Sequence, residues 1–305
     1  MLASLGNVIS MTDVPAAVTL GLDFGGSSIK VALLRAGRVI AADRRPNRSR
    51  PSDLDEVAAA ARALVDRTGP ADRVAVAMPG IVDPSSGRLV SAHGKYGYAH
   101  DLDLVGWAER ELGHRAVVEN DARVALLGEV TTGSARGARD AALVVVGTGI
   151  GTAAMIDGVL VRGHRGHAGV LGGHFTITMA DQACNCGNLG CAEVFGGSWN
   201  LPDGLDMPAV FAGLGRGEAG VTEVANRVLQ AWAVTAVNLC HAYDPEVLVM
   251  SGGAVAAAGG ALRWVVDYVR AHHWSSLPPP EIVVADEPEL SVVRGLDALA
   301  ESGAR

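Results

Sequence analysis

The sequence predicts an α/β protein built from two similar halves, and three observations carry that expectation. Apolar runs of strand length alternate with stretches of helical period from residue 18 to the end. An opening device, an apolar run followed by a glycine turn and a second apolar run, appears at 18–35 and again at 141–156. No long linker separates the halves, so they are expected to pack closely across a cleft.

The elements follow in order. Runs at 18–23 and 29–35 flank the turn Gly25-Gly26-Ser27-Ser28, and a run at 39–42 follows the turn signal Ala36-Gly37, giving a three-stranded meander. Asp53 and Asp55 sit where a helix over 54–67 wants its cap or first-turn acids. "RVAVAMPG" reads as a buried strand ending in a Pro-Gly turn, "DLVGWAEREL" as a helix, "AVV" at 116–118 as a short strand and "NDARVALLGEV" as a helix. The second half opens with "AALVVVGTGIGTAAMIDG". A helix over 222–243, the strand "EVLVMSGG", a helix over 261–273, the strand "EIVVAD" and a last helix from Leu290 complete the chain.

Composition narrows the function. Apolar residues make up 49% and aromatics 4% of the 305 residues, which fits Ala, Val and Leu cores. The formal net charge of −8 and the absence of a basic block disfavour nucleic acid as a partner. The stretch at 1–17 has no basic region before its apolar residues and is expected to be a disordered leader, with Met11 an alternative start. The charge-free run at 228–243 contains Gln230, Asn238 and His241 and is too short to cross a bilayer, so no membrane partner is expected. A cytoplasmic location follows, where clustered thiols are more often metal ligands than disulfides.

Three glycine turns suit a bound anion. Gly25 and Gly26 bring backbone N–H groups close to a ligand, Ser27 and Ser28 add hydroxyls, and Asp23 at the strand end could hold Mg²⁺ through water. Gly147, Thr148 and Gly149 offer the same chemistry. Gly252 and Gly253 lie between a strand and a helix. The first turn alone also fits a plain hairpin. The Walker A pattern is absent, and so is the dinucleotide spacing. Asp121 and Asn120 stand at the start of a helix, where either is a catalytic or contact residue or simply an N-cap.

The sharpest stretch is "CNCGNLGCAE" at 184–193, which holds three of the chain's four cysteines. Cys184, Cys186 and Cys191 supply three of the four ligands a tetrahedral Zn²⁺ wants, and Gly187 and Gly190 let the loop fold back. The fourth ligand must come from elsewhere; His174 and His167 are the candidates. Three buried reduced thiols are the plain alternative. Cys240, in a core helix, reads as packing.

With "DFGGSS", "AVAMPGIVDPSSG", "ENDA", "VVGTGIG" and "NLCHAYDPEVLVMSGG" in order along the chain, the cysteine motif resembles the C-x-C-G-x-x-G-C-x-E signature of the ROK family of sugar kinases and repressors. That family lies in the actin–hexokinase–Hsp70 superfamily. The resemblance implies a two-domain actin-like ATPase fold (ribonuclease H-like) with an interdomain cleft. Its domains would be 18–124 plus 291–305, and 125–290 carrying the zinc loop. It implies ATP with Mg²⁺ on the glycine turns, a structural Zn²⁺ held by His174 with the three cysteines, and a homodimer or higher homo-oligomer. By resemblance Asp121 is the general base of sugar phosphorylation, and Asn120, Glu193, His174 and Gly80 meet the sugar. A helix-capping charge is the competing reading of Glu193.

Two departures fall on the sugar side. The family's E-x-G-H motif is here "AGVLGGHF", so Val170 or Leu171 stands where a carboxylate is usual. The usual Asn after the Pro-Gly strand is missing from "SAHGKYGYAHDLDL", where His93, Lys95, Tyr96, Tyr98, His100 and Asp101 form a different set. Lys30 is displaced by two residues from the family's lysine and keeps the same strand face. The expected function is therefore an ATP-dependent sugar kinase of the glucokinase type with its sugar open. The alternative is a catalytically silent sugar sensor of the repressor type without a DNA-binding module.

Overall fold

Period-2 alternation decides which residues of the first strands face which layer. β1 (Val18–Phe24), β2 (Ser28–Arg35) and β3 (Arg38–Pro46) form the expected meander, and α1 (Ser52–Thr68) follows. The computed structural model describes residues 16–92, 94–100, 102–274 and 276–303. Most of the leader and the expected roles of His93 and Asp101 lie outside those residues.

β4 (Arg73–Met78) and β7 (Ala116–Asn120) run parallel to β1, giving a sheet of order β3-β2-β1-β4-β7. Between them lie a small hairpin, β5 (Ile81–Val82) and β6 (Leu89–Ser91), and α2 (Leu104–Leu112). Val74 and Val76 pack with α1 and α2 on one face. Ala75 and Ala77 pack with a carboxy-terminal helix on the other. Burial on both faces explains why β1 has no exposed residue.

α3 (Asp121–Thr131) leads to β8 (Ala141–Val146), β9 (Ile150–Ile156) and β10 (Val159–Leu160). Then come α4 (Ala192–Gly196), α5 (Met207–Arg216), α6 (Ala219–Tyr243), β11 (Val247–Ser251), α7 (Gly253–Ala258), α8 (Leu262–His272), β12 (Glu281–Val284) and α9 (Pro288–Gly303). The second sheet has the order β10-β9-β8-β11-β12. Its pairing senses repeat the first: two antiparallel neighbours on one side of the leading strand, two parallel on the other. The recurrence read from the glycine turns is thus a recurrence of topology.

Alternation again assigns the faces. Ala142, Val144 and Val146 pack under α6 and α8 around Trp232, whereas Leu143 and Val249 pack against α3. α3 therefore belongs to both halves: it covers the second sheet and also crosses α9, which lies on β1 and β4. The crossing is close because Gly128 and Gly295 face opposite backbones. A Cβ on Gly295 would fall 1.8 Å from the Val124 carbonyl, and one on Gly128 would fall 2.0 Å from that of Ser291.

Several expected boundaries move. The meander's third strand runs on to Pro46, the long helix begins at Ala219 and the last at Pro288. α5 was not expected, because its sequence carries a proline and two glycines. Yet Asp206 caps it through the Ala209 N–H (2.8 Å) with Pro208 in its first turn. The segment after β6 makes a 3-10 turn over Gly94–Ala99 with Tyr96 and Ala99 buried.

Candidate active site

The carboxyl ends of β1, β4, β7 and β8 meet at one place, the usual location of ligand sites in open α/β sheets. A cleft of about 570 Å³ opens there between the two sheets. It is lined from the first half by Gly26, Gly80, Tyr96, Asn120 and Asp121, and from the second by Gly147, Thr148, Gly149, His174 and Glu193. The expected base and the expected sugar-side carboxylate therefore share one cavity.

Asn120 ends β7 and caps α3. Its Oδ1 accepts from the N–H groups of Ala122 (3.0 Å) and Arg123 (3.2 Å), so the capping reading holds for this residue. Its Nδ2 donates to the Gly80 carbonyl (2.9 Å) and to Asp121 Oδ1 (3.1 Å). Gly80 has φ +109°, and a Cβ there would lie 2.2 Å from the Ser91 carbonyl, which is why glycine occupies the turn. The Ala122 N–H also donates to Asp121 Oδ1 (2.8 Å). Burial, then the neighbouring charge of Asp23, pushes the Asp121 carboxyl up to about 7 against these hydrogen bonds. A carboxylate so placed accepts a proton readily near neutral pH.

Arg123, which sequence reading passed over, fixes the surroundings of this base. It is fully buried, pairs with Glu119 Oε1 (3.0 Å) and donates to the carbonyls of Val161, Gly166 and Ala168 (3.1, 2.8 and 2.7 Å). Arg162 holds the other Glu119 oxygen (2.7 Å). The i,i+4 spacing of Glu119 and Arg123 was the available signal; the three carbonyls, about 40 residues downstream, were not legible.

On the anion side, Gly26 faces Thr148 across the cleft: a Cβ on Gly26 would sit 3.9 Å from Thr148 Oγ1. Gly25 is held by its N–H to Asp23 and Ser28 carbonyls (3.1 Å each), and its own carbonyl accepts from Tyr96 Oη (2.8 Å) and Asn47 (3.2 Å). Tyr96, one of the changed polar and aromatic set, contacts Gly25, 71 residues away, and so ties the 3-10 turn to the glycine turn. Burial raises Asp23, and the Lys30 ammonium (3.1 Å) opposes that rise. Lys30 also donates to the Glu289 carbonyl (3.0 Å).

Six expected contacts do not line this cavity: Asp23 and Gly25 lie behind Gly26, and four more point elsewhere. Ser27 and Ser28 do not line it, and the Ser28 hydroxyl accepts from Arg44 Nε (2.7 Å), because Ser28 already belongs to the β2 ladder. Gly252 and Gly253 do not line it either. Gly252 has φ +101° with its Cα against Val146, so it serves the strand-to-helix turn, and α7 behind it is six residues long.

The cysteine cluster closes around a point. Ligand atoms of His174, Cys184, Cys186 and Cys191 all lie within 4.8 Å of one another. Cys184 Sγ is 3.7 Å from His174 Nδ1, and Cys186 Sγ is 3.7 Å from Cys191 Sγ. A tetrahedron with arms near 2.3 Å has edges of about 3.8 Å, so the donor set fits Zn²⁺, and the sulfurs are too far apart for a disulfide. His167 is exposed and outside the cluster, which leaves His174 as the fourth donor. Gly187 and Gly190 take φ +91° and +66°, as the fold-back requires. Burial pushes the Cys191 thiol up to about 12.

Cys191 precedes α4, and Glu193 follows it in the first turn. The Glu193 carboxylate accepts the Ile150 N–H (2.8 Å), and a Cβ on Gly149 would lie 2.2 Å from it. Gly149 is therefore glycine to admit the carboxylate, and Glu193 is more than a capping charge.

Comparison with known proteins finds sugar kinases. The chain is 25% identical to a glucokinase of Thermotoga maritima over 84% of this chain and 89% of that protein. It is 28% identical to an N-acetylmannosamine kinase of Escherichia fergusonii over 82% and 88%. A Streptomyces griseus ROK family glucokinase, solved in complex with glucose and AMPPNP, superposes with a TM-score of 0.79 at 20% identity, over 93% of this chain and 98% of that one. The fold is the expected actin-like two-domain α/β fold. The profile of the ROK family matches residues 19–302, and the chain belongs to that family.

Proposed function

We propose that the protein is an ATP-dependent sugar kinase. The observation that carries this reading is the meeting of Asp121 and Glu193 in one cleft whose other wall is made by the turns at Gly26 and Thr148. Phosphoryl transfer to a hydroxyl needs positioning, charge neutralisation and a proton acceptor, and little else from the protein.

Asp121 takes the hydroxyl proton as the acceptor oxygen attacks the γ-phosphate. Glu193 and His174 hold the sugar, and Asn120 with Gly80 fixes the base. Gly25, Gly26, Gly147, Thr148 and Gly149 receive the phosphates of MgATP, with Asp23 toward the magnesium ion. Zn²⁺ on His174, Cys184, Cys186 and Cys191 is structural: it supplies rigidity to the loop that presents Glu193. Residues 18–124 plus 291–305 and residues 125–290 act as two bodies that close over the substrates and exclude water. The enzyme works in the cytoplasm as a homodimer. Among the described residues no helix is long and apolar enough to cross a membrane.

A coupled ADP-release assay over hexoses, amino sugars and polyols tests the reading. Sugar-dependent ADP formation is expected with at least one of them. Tight sugar binding without ADP formation by any would favour the sensor reading instead.

A further inference from the structure

We propose that the acceptor carries an apolar group in place of one sugar hydroxyl, a deoxygenated carbon or an acyl methyl, and that Leu171 with Val170 receives it. The inference rests on the sugar-kinase reading and adds the acceptor's chemistry to it.

The loop 166–174 spans the cleft. At its start, a Cβ on Gly166 would meet the Val82 carbonyl at 2.2 Å, so the chain lies against the strand that carries Ile81. At its end, a Cβ on Gly173 would meet the Ile150 carbonyl at 2.1 Å, on the same residue whose N–H binds Glu193. Between these anchors Arg123 holds the Gly166 and Ala168 carbonyls, and Thr152 Oγ1 donates to the Gly169 carbonyl (2.7 Å) while accepting from the Gly172 N–H (2.8 Å). The loop is thus fixed from Asp121's helix to Glu193's partner strand, and its middle lines the cavity that holds both carboxylates.

From Gly166 to Gly173 the residues of this loop that line the cavity are Val170 and Leu171. Ile81 and Ile150, on the strands at either end, line it too. This wall therefore offers methyl groups, whereas Asn120, Asp121, His174 and Glu193 bring polar atoms to the same cavity. A hydroxyl pressed on such a wall loses its water and gains no partner, which disfavours it. A carbon or methyl there gains burial.

Isothermal titration in the presence of a non-hydrolysable ATP analogue reads the preference directly. The probes are glucose, mannose and galactose, their single-deoxy derivatives, and the N-acetylhexosamines. At least one derivative is expected to bind about tenfold or more tighter than its parent, and the deoxy and acyl arms distinguish which apolar group fits. Leu171→Glu is expected to reverse that order, and Leu171→Ala to shrink it. A parent hexose that binds as tightly as all its derivatives, absence of binding by every probe, or an order unchanged in Leu171→Glu overturns the inference. A preference that holds while no ADP is formed in the turnover assay keeps the inference and removes the kinase reading.

Discussion

Asp121 has two demands on it that conflict. As a base it needs a proton affinity near neutrality, and the buried neighbourhood that provides this also makes its charge costly. Its ordinary value of 3.8 rises to about 7 in the folded chain, with burial first and Asp23 second. The unfolded chain therefore releases this proton at lower pH than the folded one. Stability is lost as pH rises from about 4 to 7, and the loss is complete above 7. Asp121→Asn should accordingly raise the stability at pH 8 by roughly 1–4 kcal/mol and leave it nearly unchanged at pH 4; denaturant melts at both values check the sign. An equal effect at both pH values would mean that the carboxylate is not destabilised. At this scale the sequence was informative where a residue sits inside a compact motif: Asp121, Glu193 and the three clustered cysteines, with His174 singled out from His167 only by resemblance. It was silent on Arg123, and it marked Tyr96 and Leu171 only as departures from a pattern, because their partners lie tens of residues away and become neighbours only through the fold.

At the scale of elements, the loop from His174 to Glu193 is short, glycine-bearing and poor in regular structure. Its order comes from two isolated bridges, Thr176 to Cys191 and Ala183 to Leu189, and from the donor cluster. Without an ion, little else ties Cys184 and Cys186 together. Removing the metal with a chelator should lower the melting temperature by several degrees. It should raise KM for the sugar severalfold or more while leaving KM for ATP within about twofold, since Glu193 is carried by the loop and the phosphate turns are not. An equal rise in both KM values would contradict the separate role of the loop. Long elements such as α6 and the strands β1, β4 and β8 were legible, because apolar period and length agree there. The short α4, β5 and β6 and the ten-residue α5 were not: they are set by contacts and caps, and glycine or proline hides α5 from a pattern search.

For the whole molecule, the feature that joins the two halves is the crossing of α3 and α9. Asp297 accepts from Thr19 (2.6 Å) and from the Gly37 N–H (2.7 Å), and Ser291 donates to Glu129, so α9 is locked by buried polar contacts to both strands and helix. Gly295→Ala forces the two backbones apart and should cost about 1–3 kcal/mol in equilibrium unfolding. A change below about 0.5 kcal/mol would mean that the close approach does not hold the halves. The repeat of sheet topology was visible in the two glycine turns, but α3's place in both halves was not, since its apolar surface on nearly all sides has no single period to read.

The central claim, that Asp121 accepts the proton of a sugar hydroxyl in this cleft, is tested most directly by kcat as a function of pH for the wild type and Asp121→Asn at saturating sugar and ATP. The account predicts a wild-type rate that falls about tenfold per pH unit below pH 7. It predicts a variant slower by about 10²–10⁴-fold in which that acid limb is gone. A variant that keeps the wild-type rate, or the same acid limb in both proteins, would contradict it.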